Sequence, residues 1–142
     1  MLVSQILRIK GATVFTIKPA DIVGLVAELL HTKGIGALVV LEADRVVGIV
    51  SERDIVRAVA SHGPSALKKP VSDYMTGNVL FADPGETVDS LLSRMTDRRI
   101  RHLPVCKADK LVGIVSIGDL VKFKISEVEA EADGLKAYIA AS

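Results

Sequence analysis

The sequence predicts a mixed α/β (α+β) fold made of two β-α-β-β-α units that pack about a pseudo-twofold axis. Residues 14–59 recur without a gap as residues 79–124, and each copy carries one helically spaced apolar stripe and two short β-branched runs. Two copies offset by 65 residues are too few and too long for a solenoid, whose units repeat every ~20 to 50 residues. Because each copy presents an apolar face, we expect the two copies to pack together and to leave two related clefts.

The elements of each copy follow from its residues in order. Extended segments at residues 14–17 and 79–82 end where Pro19 and Pro84 fix the backbone in a turn. Apolar residues at helical spacing then predict one helix per copy: Ile22, Val23, Val26, Leu29 and Leu30 in the first, and Val88, Leu91, Leu92 and Met95 in the second. Short apolar runs at 37–41, 46–50, 103–106 and 111–115 predict two hairpins, with polar turns at 42–45 and 107–110. Each copy closes with a helix that begins at its Ser-x-x-Asp sequence.

These elements predict five segments along the chain. They are an N-terminal helix and lead-in at 1–13, a first repeat at 14–62, a connector at 63–73, a second repeat at 74–126 and a C-terminal helix at 127–142. We expect both terminal helices to pack on the module or on a second subunit.

The composition excludes several classes of protein. With 49% hydrophobic and 25% charged residues, the chain is typical of a globular protein. A net charge of +1 supplies no broad basic field for nucleic acid or a membrane surface, so we expect neither partner. Cys106 is the single cysteine, and neither a secretory leader nor a long apolar run is evident, so we expect a cytoplasmic protein.

The strongest local pattern is Gly-x-x-Ser-x-x-Asp, at residues 48–54 and 113–119, where a strand runs into a helix. One interpretation is a helix cap, in which the serine accepts a backbone N–H and the acid reaches back to the helix start. The other is a ligand site, because a carboxylate that faces a cleft can accept hydrogen bonds from both hydroxyls of a ribose. The helix N-terminus can then meet a phosphate. Gly48 and Gly113 permit close backbone approach in either case, for a ligand, a turn or simple packing.

The doubled unit resembles the paired cystathionine β-synthase (CBS) domain, or Bateman module. The resemblance rests on the repeated Gly-x-x-Ser-x-x-Asp, on Arg-His-Leu-Pro-Val at 101–105 and on Val-x-Asp-x-Met-Thr at 71–76, and it covers nearly the whole chain. It implies two repeats that pack through their sheets, a homodimer, and binding of an adenosine compound such as AMP, ADP, ATP, S-adenosylmethionine or NAD(H).

The resemblance also implies roles for particular residues. Asp54 and Asp119 would hold ribose hydroxyls, with Ser51 and Ser116 near the ribose or phosphate. The clefts would be lined by residues before the middle strands and by the entry strands: Ile35, Gly36, Ala37, Ile100, Arg101, His102, Val14 and Val79. Arg53, Arg101 and His102 are candidates for phosphate contact, the alternative being solvated charges and an inward-facing histidine.

The two clefts are not expected to be equivalent. Arg53 of the first copy corresponds to Gly118, Gly36 to Arg101, and Val39 to Pro104. Since these exchanges change charge and shape, we expect unequal affinities or different ligands.

The function that these observations favour is a non-catalytic regulatory module that binds an adenosine nucleotide and signals to a separate, unidentified protein. The alternatives are a ligand-free dimerisation scaffold and an S-adenosylmethionine sensor. An enzyme is disfavoured, because the sequence lacks a phosphate-binding Gly-x-x-x-x-Gly-Lys-Ser/Thr loop, a metal-ligand cluster and a nucleophile with a plausible base.

Overall fold

The computed structural model describes residues 1–141. Its helices and strands are α1 (Val3–Lys10), β1 (Thr16–Ile17), α2 (Val23–Lys33), β2 (Ala37–Glu42), β3 (Arg45–Ser51), α3 (Glu52–His62), α4 (Val88–Arg98), β4 (His102–Lys107), β5 (Lys110–Ser116) and α5 (Ile117–Ala141). Two 3₁₀ helices, Gly63–Lys68 and Val71–Asp73, follow α3. The predicted mixed α+β class is confirmed, and the two helices and the hairpin predicted for each copy are present.

The chain forms two compact units, and the boundary between them does not follow the two sequence copies. The N-terminal unit contains residues 13–80 and 108–111, and the C-terminal unit contains residues 1–12, 81–107 and 112–141. The boundaries of these units therefore differ from those of the predicted segments at 1–13 and 74–126. Helix α1 packs with the second copy, and residues 74–80 pack with the first.

The N-terminal unit has a three-stranded sheet in the order β1-β2-β3. Strand β1 is parallel to β2, and β2 is antiparallel to β3. The hairpin turns through Ala43 and Asp44, with φ of 49° and 63°, and Ala108 and Asp109 repeat this with 50° and 62° in the other hairpin. Positive φ at both central residues is what a two-residue type I′ turn needs, so the polar linkers are hairpin turns as predicted.

The C-terminal unit has a two-stranded sheet, β4-β5. The predicted entry strand at 79–82 is wrong apart from one rung, since Ala82 alone bridges Val105 and Val79 lies in irregular backbone. In the first copy the corresponding pair, Ile17 with Val40, is preceded by a second pair, Thr16 with Val39. Pro104 stands at the position of Val39 and has no N–H with which to form that rung.

The same repeat positions are buried in both units. The pairs offset by 65 residues are Val23 and Val88, Val26 and Leu91, Leu30 and Met95, Leu38 and Leu103, Val40 and Val105, and Val50 and Val115, each at most 7% exposed. In the N-terminal unit the stripe of α2 shares one core cluster with the strands, as the periodicity predicts.

Each motif glycine packs closely against the segment that precedes the other copy in the sequence. A Cβ on Gly113 would lie 2.6 Å from Cδ2 of Leu7 in α1, and one on Gly48 would collide with the side chain of Met75 and approach the carbonyl oxygen of Thr76 to 3.1 Å. Of the interpretations that the sequence leaves open for these glycines, the structure supports close packing.

Two predicted segments differ in detail. The connector at 63–73 is folded into the two 3₁₀ helices, with Ala66 and Val71 fully buried. The C-terminal helix does not begin at residue 127, because α5 runs unbroken from Ile117 to Ala141. Within the described residues, no helix has both the length and the apolarity to cross a membrane.

Candidate functional site

In the N-terminal unit, Asp54 is held at the start of α3. Its Oδ2 accepts the backbone N–H of Ser51 at 2.8 Å and the Ser51 hydroxyl at 3.2 Å. The residue is only 8% exposed, which makes it the one charged or polar residue among the buried residues of the described chain. Arg57 brings Nη1 to 3.7 Å from Oδ1, but its side chain is 75% exposed, so its charge is largely screened by solvent.

In the C-terminal unit, Asp119 occupies the matching position at the start of α5. Its Oδ2 accepts the Ser116 N–H at 2.9 Å, and its own N–H donates to the Ser116 hydroxyl at 3.1 Å. This reciprocal pair is a capping box. The capping interpretation is therefore confirmed for Asp119, and Asp54 makes the matching acid-to-backbone bond. Because the acid of a capping box retains further acceptor positions, capping leaves each carboxylate able to accept bonds from a ligand.

The second site has a cation, Lys10, that lies closer to its carboxylate than Arg57 lies to Asp54. Lys10, the last residue of α1, donates from Nζ to Oδ2 of Asp119 at 2.6 Å and to the carbonyl oxygen of Ile114 at 2.9 Å. Both side chains of the ion pair are under one third exposed. Partial burial by itself raises the pKa of Asp119, but the hydrogen bond and charge of Lys10 and the N–H of Ser116 outweigh it. The pKa of Asp119 is held below its usual value.

Lys10 reaches this position because the segments that precede the two copies fold differently. In the N-terminal unit the segment opens out after its 3₁₀ helix, and the backbone of Thr76 bonds to both the N–H and the carbonyl oxygen of Ile49. In the C-terminal unit α1 continues as a helix. Its Lys10 side chain donates a hydrogen bond to the carbonyl oxygen of Ile114, the residue that corresponds to Ile49. The extra helical turn thus places an ammonium group where the first copy has main chain.

The loops before the middle strands lie beside the acidic helix starts. The carbonyl oxygen of Gly36 accepts the N–H of Glu52 at 3.1 Å, and that of Arg101 accepts the N–H of Ile117 at 2.8 Å. Ala37 also pairs with Ser51 across the sheet. Each unit therefore brings its predicted loop residues next to its own Ser-x-x-Asp sequence: Ile35, Gly36 and Ala37 in one, and Ile100, Arg101 and His102 in the other.

The predicted phosphate contacts differ in exposure. Arg53 and Arg101 are exposed and available to an anion, whereas His102 is half-buried at the start of β4 and already has an interaction partner. Val14 and Val79 are both half-buried in irregular backbone of the N-terminal unit, so neither lies in a strand.

Sequence reasoning missed Lys10. A signal was present, because Val3-Ser4 repeats Val71-Ser72 and so marks the N-terminal residues as a second lead-in. If this segment is aligned with residues 71–76, Leu7 corresponds to Met75, and Lys10 lies just beyond the aligned segment. Among the residues that the structure describes, no group of three or more His, Cys, Asp or Glu could hold a metal ion.

The site can therefore do one kind of chemistry in each unit. A capped carboxylate can accept hydrogen bonds from hydroxyl groups, the adjoining helix start presents N–H groups, and arginines or Lys10 supply positive charge for an anion. Such a set of groups is chemically suited to a polar anionic ligand.

Comparison with known proteins identifies one domain family that this chain matches. The family model for the CBS domain matches residues 7–61 and 71–126. A mitochondrial CBS domain-containing protein of Arabidopsis thaliana is 39% identical over 110 residues, which cover 74% of this chain and 53% of that protein. The chain thus spans about half the length of this relative.

Solved structures are similar over nearly the whole chain. A CBS-domain containing protein of Agrobacterium tumefaciens is 43% identical with a TM-score of 0.85, covering 87% of this chain and 99% of that one. The CBS domain pair of MJ0100, in complex with 5′-methylthioadenosine and S-adenosyl-L-methionine, is 27% identical with a TM-score of 0.80 and covers 89% and 98%. A CBS domain protein of Pyrobaculum aerophilum complexed with AMP is 27% identical with a TM-score of 0.75 and covers 84% and 89%.

Proposed function

We propose that this chain, which belongs to the CBS domain family, is a non-catalytic regulatory module that binds an adenosine nucleotide at its two Ser-x-x-Asp sites. In this proposal Asp54 and Asp119 accept the ribose hydroxyls, while Ser51 and Ser116 lie near the ribose or phosphate. The observation that supports it most is the buried Asp54 carboxylate, which is oriented by backbone and hydroxyl bonds from Ser51. Two structures of similar chains are complexes with adenosine compounds.

The charge at the sites favours a phosphate-bearing ligand such as AMP, ADP, ATP or NAD(H). Lys10 lies against Asp119, and exposed Arg53 and Arg101 lie beside the helix starts. Positive charge there attracts phosphate and repels the sulfonium of S-adenosylmethionine. S-adenosylmethionine is the second candidate, and the complex of the similar MJ0100 pair with this ligand favours it.

The proposal extends to partners and compartment. Ligand binding would act on a separate protein or on a homodimer interface by favouring one of two arrangements, which requires different affinities for the two. We propose a homodimer and a cytoplasmic location. The Arabidopsis relative is mitochondrial, so cell fractionation is the measurement for the compartment.

The experiment is thermal melting with AMP, ADP, ATP, NAD+, NADH and S-adenosylmethionine, for the wild type and for Asp54→Asn. A ligand that binds only the folded state stabilises it by about 2.7 kcal/mol at 100 times its dissociation constant. Glu52→Gln is the matched control, because it removes the same charge from the first turn of the same helix at an exposed position. A nucleotide-dependent shift that Asp54→Asn reduces and Glu52→Gln retains supports the proposal. The absence of any shift favours the ligand-free scaffold.

A further inference from the structure

Helix α5 carries an exposed apolar stripe along most of its length. The stripe, which we name the α5 seam, consists of Val121, Ile125, Val128, Ala132, Leu135 and Ile139. Its five larger residues are between 43% and 63% exposed, and Ala132 is exposed as well. Leu120, one position from the seam, is fully buried, so the unit uses a different face of the helix for its own core.

The second half of α5 is exposed along its whole described length. Every residue from 128 to 141 is exposed, although the helix continues to Ala141. A helical segment of this length is only marginally stable in water by itself, and most helices are stabilised by packing an apolar face. We therefore expect this exposed segment to be stabilised by packing against a partner surface.

The spacing of the seam is that of a coiled coil. The intervals between successive seam residues alternate between four and three, which is the a/d pattern of a heptad repeat. Ile125, Ala132 and Ile139 take the a positions, and Val121, Val128 and Leu135 take the d positions. Ile125 and Ile139 at a and Leu135 at d match the combination that favours two parallel strands, whereas Ala132 at a and the valines at d depart from it.

The charges beside the seam complement those of a second copy. In a parallel pair each g position faces the e position five residues later on the other helix. Lys124 then faces Glu129 of the second copy, and Glu131 faces Lys136 of the second copy. Both pairings are of opposite charge, and symmetry doubles them. Glu129, Glu131 and Lys136 are exposed, while Lys124 also bonds to Asp89 at 2.9 Å in its own chain.

An antiparallel pair with the same overlap fails this charge test. Setting Val121 against Ile139 places Glu131 beside Glu131 of the other helix and Lys122 beside Lys136, and like charges across a helix pair repel. Shifting the antiparallel register by one heptad relieves this repulsion but leaves two seam residues without a facing apolar layer, either Leu135 and Ile139 or Val121 and Ile125. Parallel, in-register pairing alone covers all six seam positions with matched charge.

We propose that the α5 seam pairs in parallel with the seam of a second copy of this chain. The inference deepens the proposed homodimer by assigning its surface and direction, and it does not depend on nucleotide binding. Because the seam is exposed in the single chain, its residues can be changed without disturbing the core.

The first test is sedimentation velocity over a concentration series, with helix content checked by circular dichroism. Val128→Glu with Leu135→Glu should weaken dimerisation at least about tenfold, because charge replaces central apolar anchors. Ala130→Glu with Ala137→Glu adds the same charge on the opposite, exposed face and should leave the dimer intact. A seam variant that stays as dimeric as the control overturns the seam but not the homodimer. A monomeric wild type overturns both.

The second test fixes the direction of pairing. Glu131→Lys faces Lys136 of the second copy and should weaken the dimer, and adding Lys136→Glu should restore it, since the opposite charges face each other again. The antiparallel registers do not place these two residues together, so they predict no rescue. Failure of the double variant to recover overturns the parallel seam.

Discussion

Lys10 Nζ lies 2.6 Å from Oδ2 of Asp119, whereas the corresponding carboxylate of the first copy, Asp54, has Arg57 as its cationic neighbour at 3.7 Å. The two sites therefore differ in charge at the atoms proposed to hold ribose. The sequence predicts unequal sites from Arg53, Arg101 and Pro104, and Lys10 adds a difference that lies outside the repeated residues.

Replacing Lys10 should change ligand preference more than it changes the fold. Lys10→Met frees the Asp119 carboxylate for hydroxyl donors but removes a charge that attracts phosphate. We expect the preference for AMP over adenosine at the Asp119 site to fall about fivefold, from a partly exposed interaction of about 1 kcal/mol. Calorimetric titration of both ligands gives the ratio. Arg8→Met, an exposed change in the last turn of the same helix, is the control, and an equal fall in that variant would contradict the assignment.

The same ion pair should make stability depend on acidity. Because the folded-state pKa of Asp119 is lowered, its contribution is fully present above the unfolded-state value, about 3.9, and is lost as the pH falls through the folded-state pKa. Urea unfolding at a series of pH values below about 5 should show a shallower loss of stability in Lys10→Met than in the wild type. Parallel curves for the two proteins would show that the pair is not coupled to folding.

Gly113 should tolerate no side chain while Leu7 is present. An added Cβ meets Leu7 Cδ2 at 2.6 Å, so Gly113→Ala should destabilise the protein by about 1 to 3 kcal/mol through overpacking. Combining it with Leu7→Ala should cost less than the sum of the two single changes, measured by denaturant unfolding. Gly134→Ala is the control: no atom lies within 4 Å of its added Cβ, and it should stabilise α5 by up to about 1 kcal/mol. Additive single changes would contradict direct packing.

Local periodicity was sufficient to predict the repeated fold. Val26 and Leu91 are buried because their helix stripes recur at the same repeat position, and Asp44 and Asp109 turn their hairpins because short polar linkers favour positive φ. These features depend on residues close together in the sequence, so a single sequence contains them.

The features that sequence reasoning missed depend on distant residues. The helical continuation of α1 to Lys10 matters only because it ends at Asp119, more than a hundred positions away. The loss of the second entry strand depends on Pro104, which lies on the opposite strand. The sequence predicts a separate C-terminal helix from residue 127, yet no residue there breaks a helix and α5 continues through this position.

Calorimetric titration of AMP into the wild type, Asp54→Asn and Glu52→Gln tests the central claim most directly. If Asp54 accepts ribose hydroxyls, its replacement removes bonds to a charged acceptor worth about 1.5 to 3 kcal/mol, and affinity should fall between about tenfold and a hundredfold. Glu52→Gln should bind as the wild type does. Equal affinity in all three proteins would contradict a ribose-binding role and leave Asp54 as a helix cap alone.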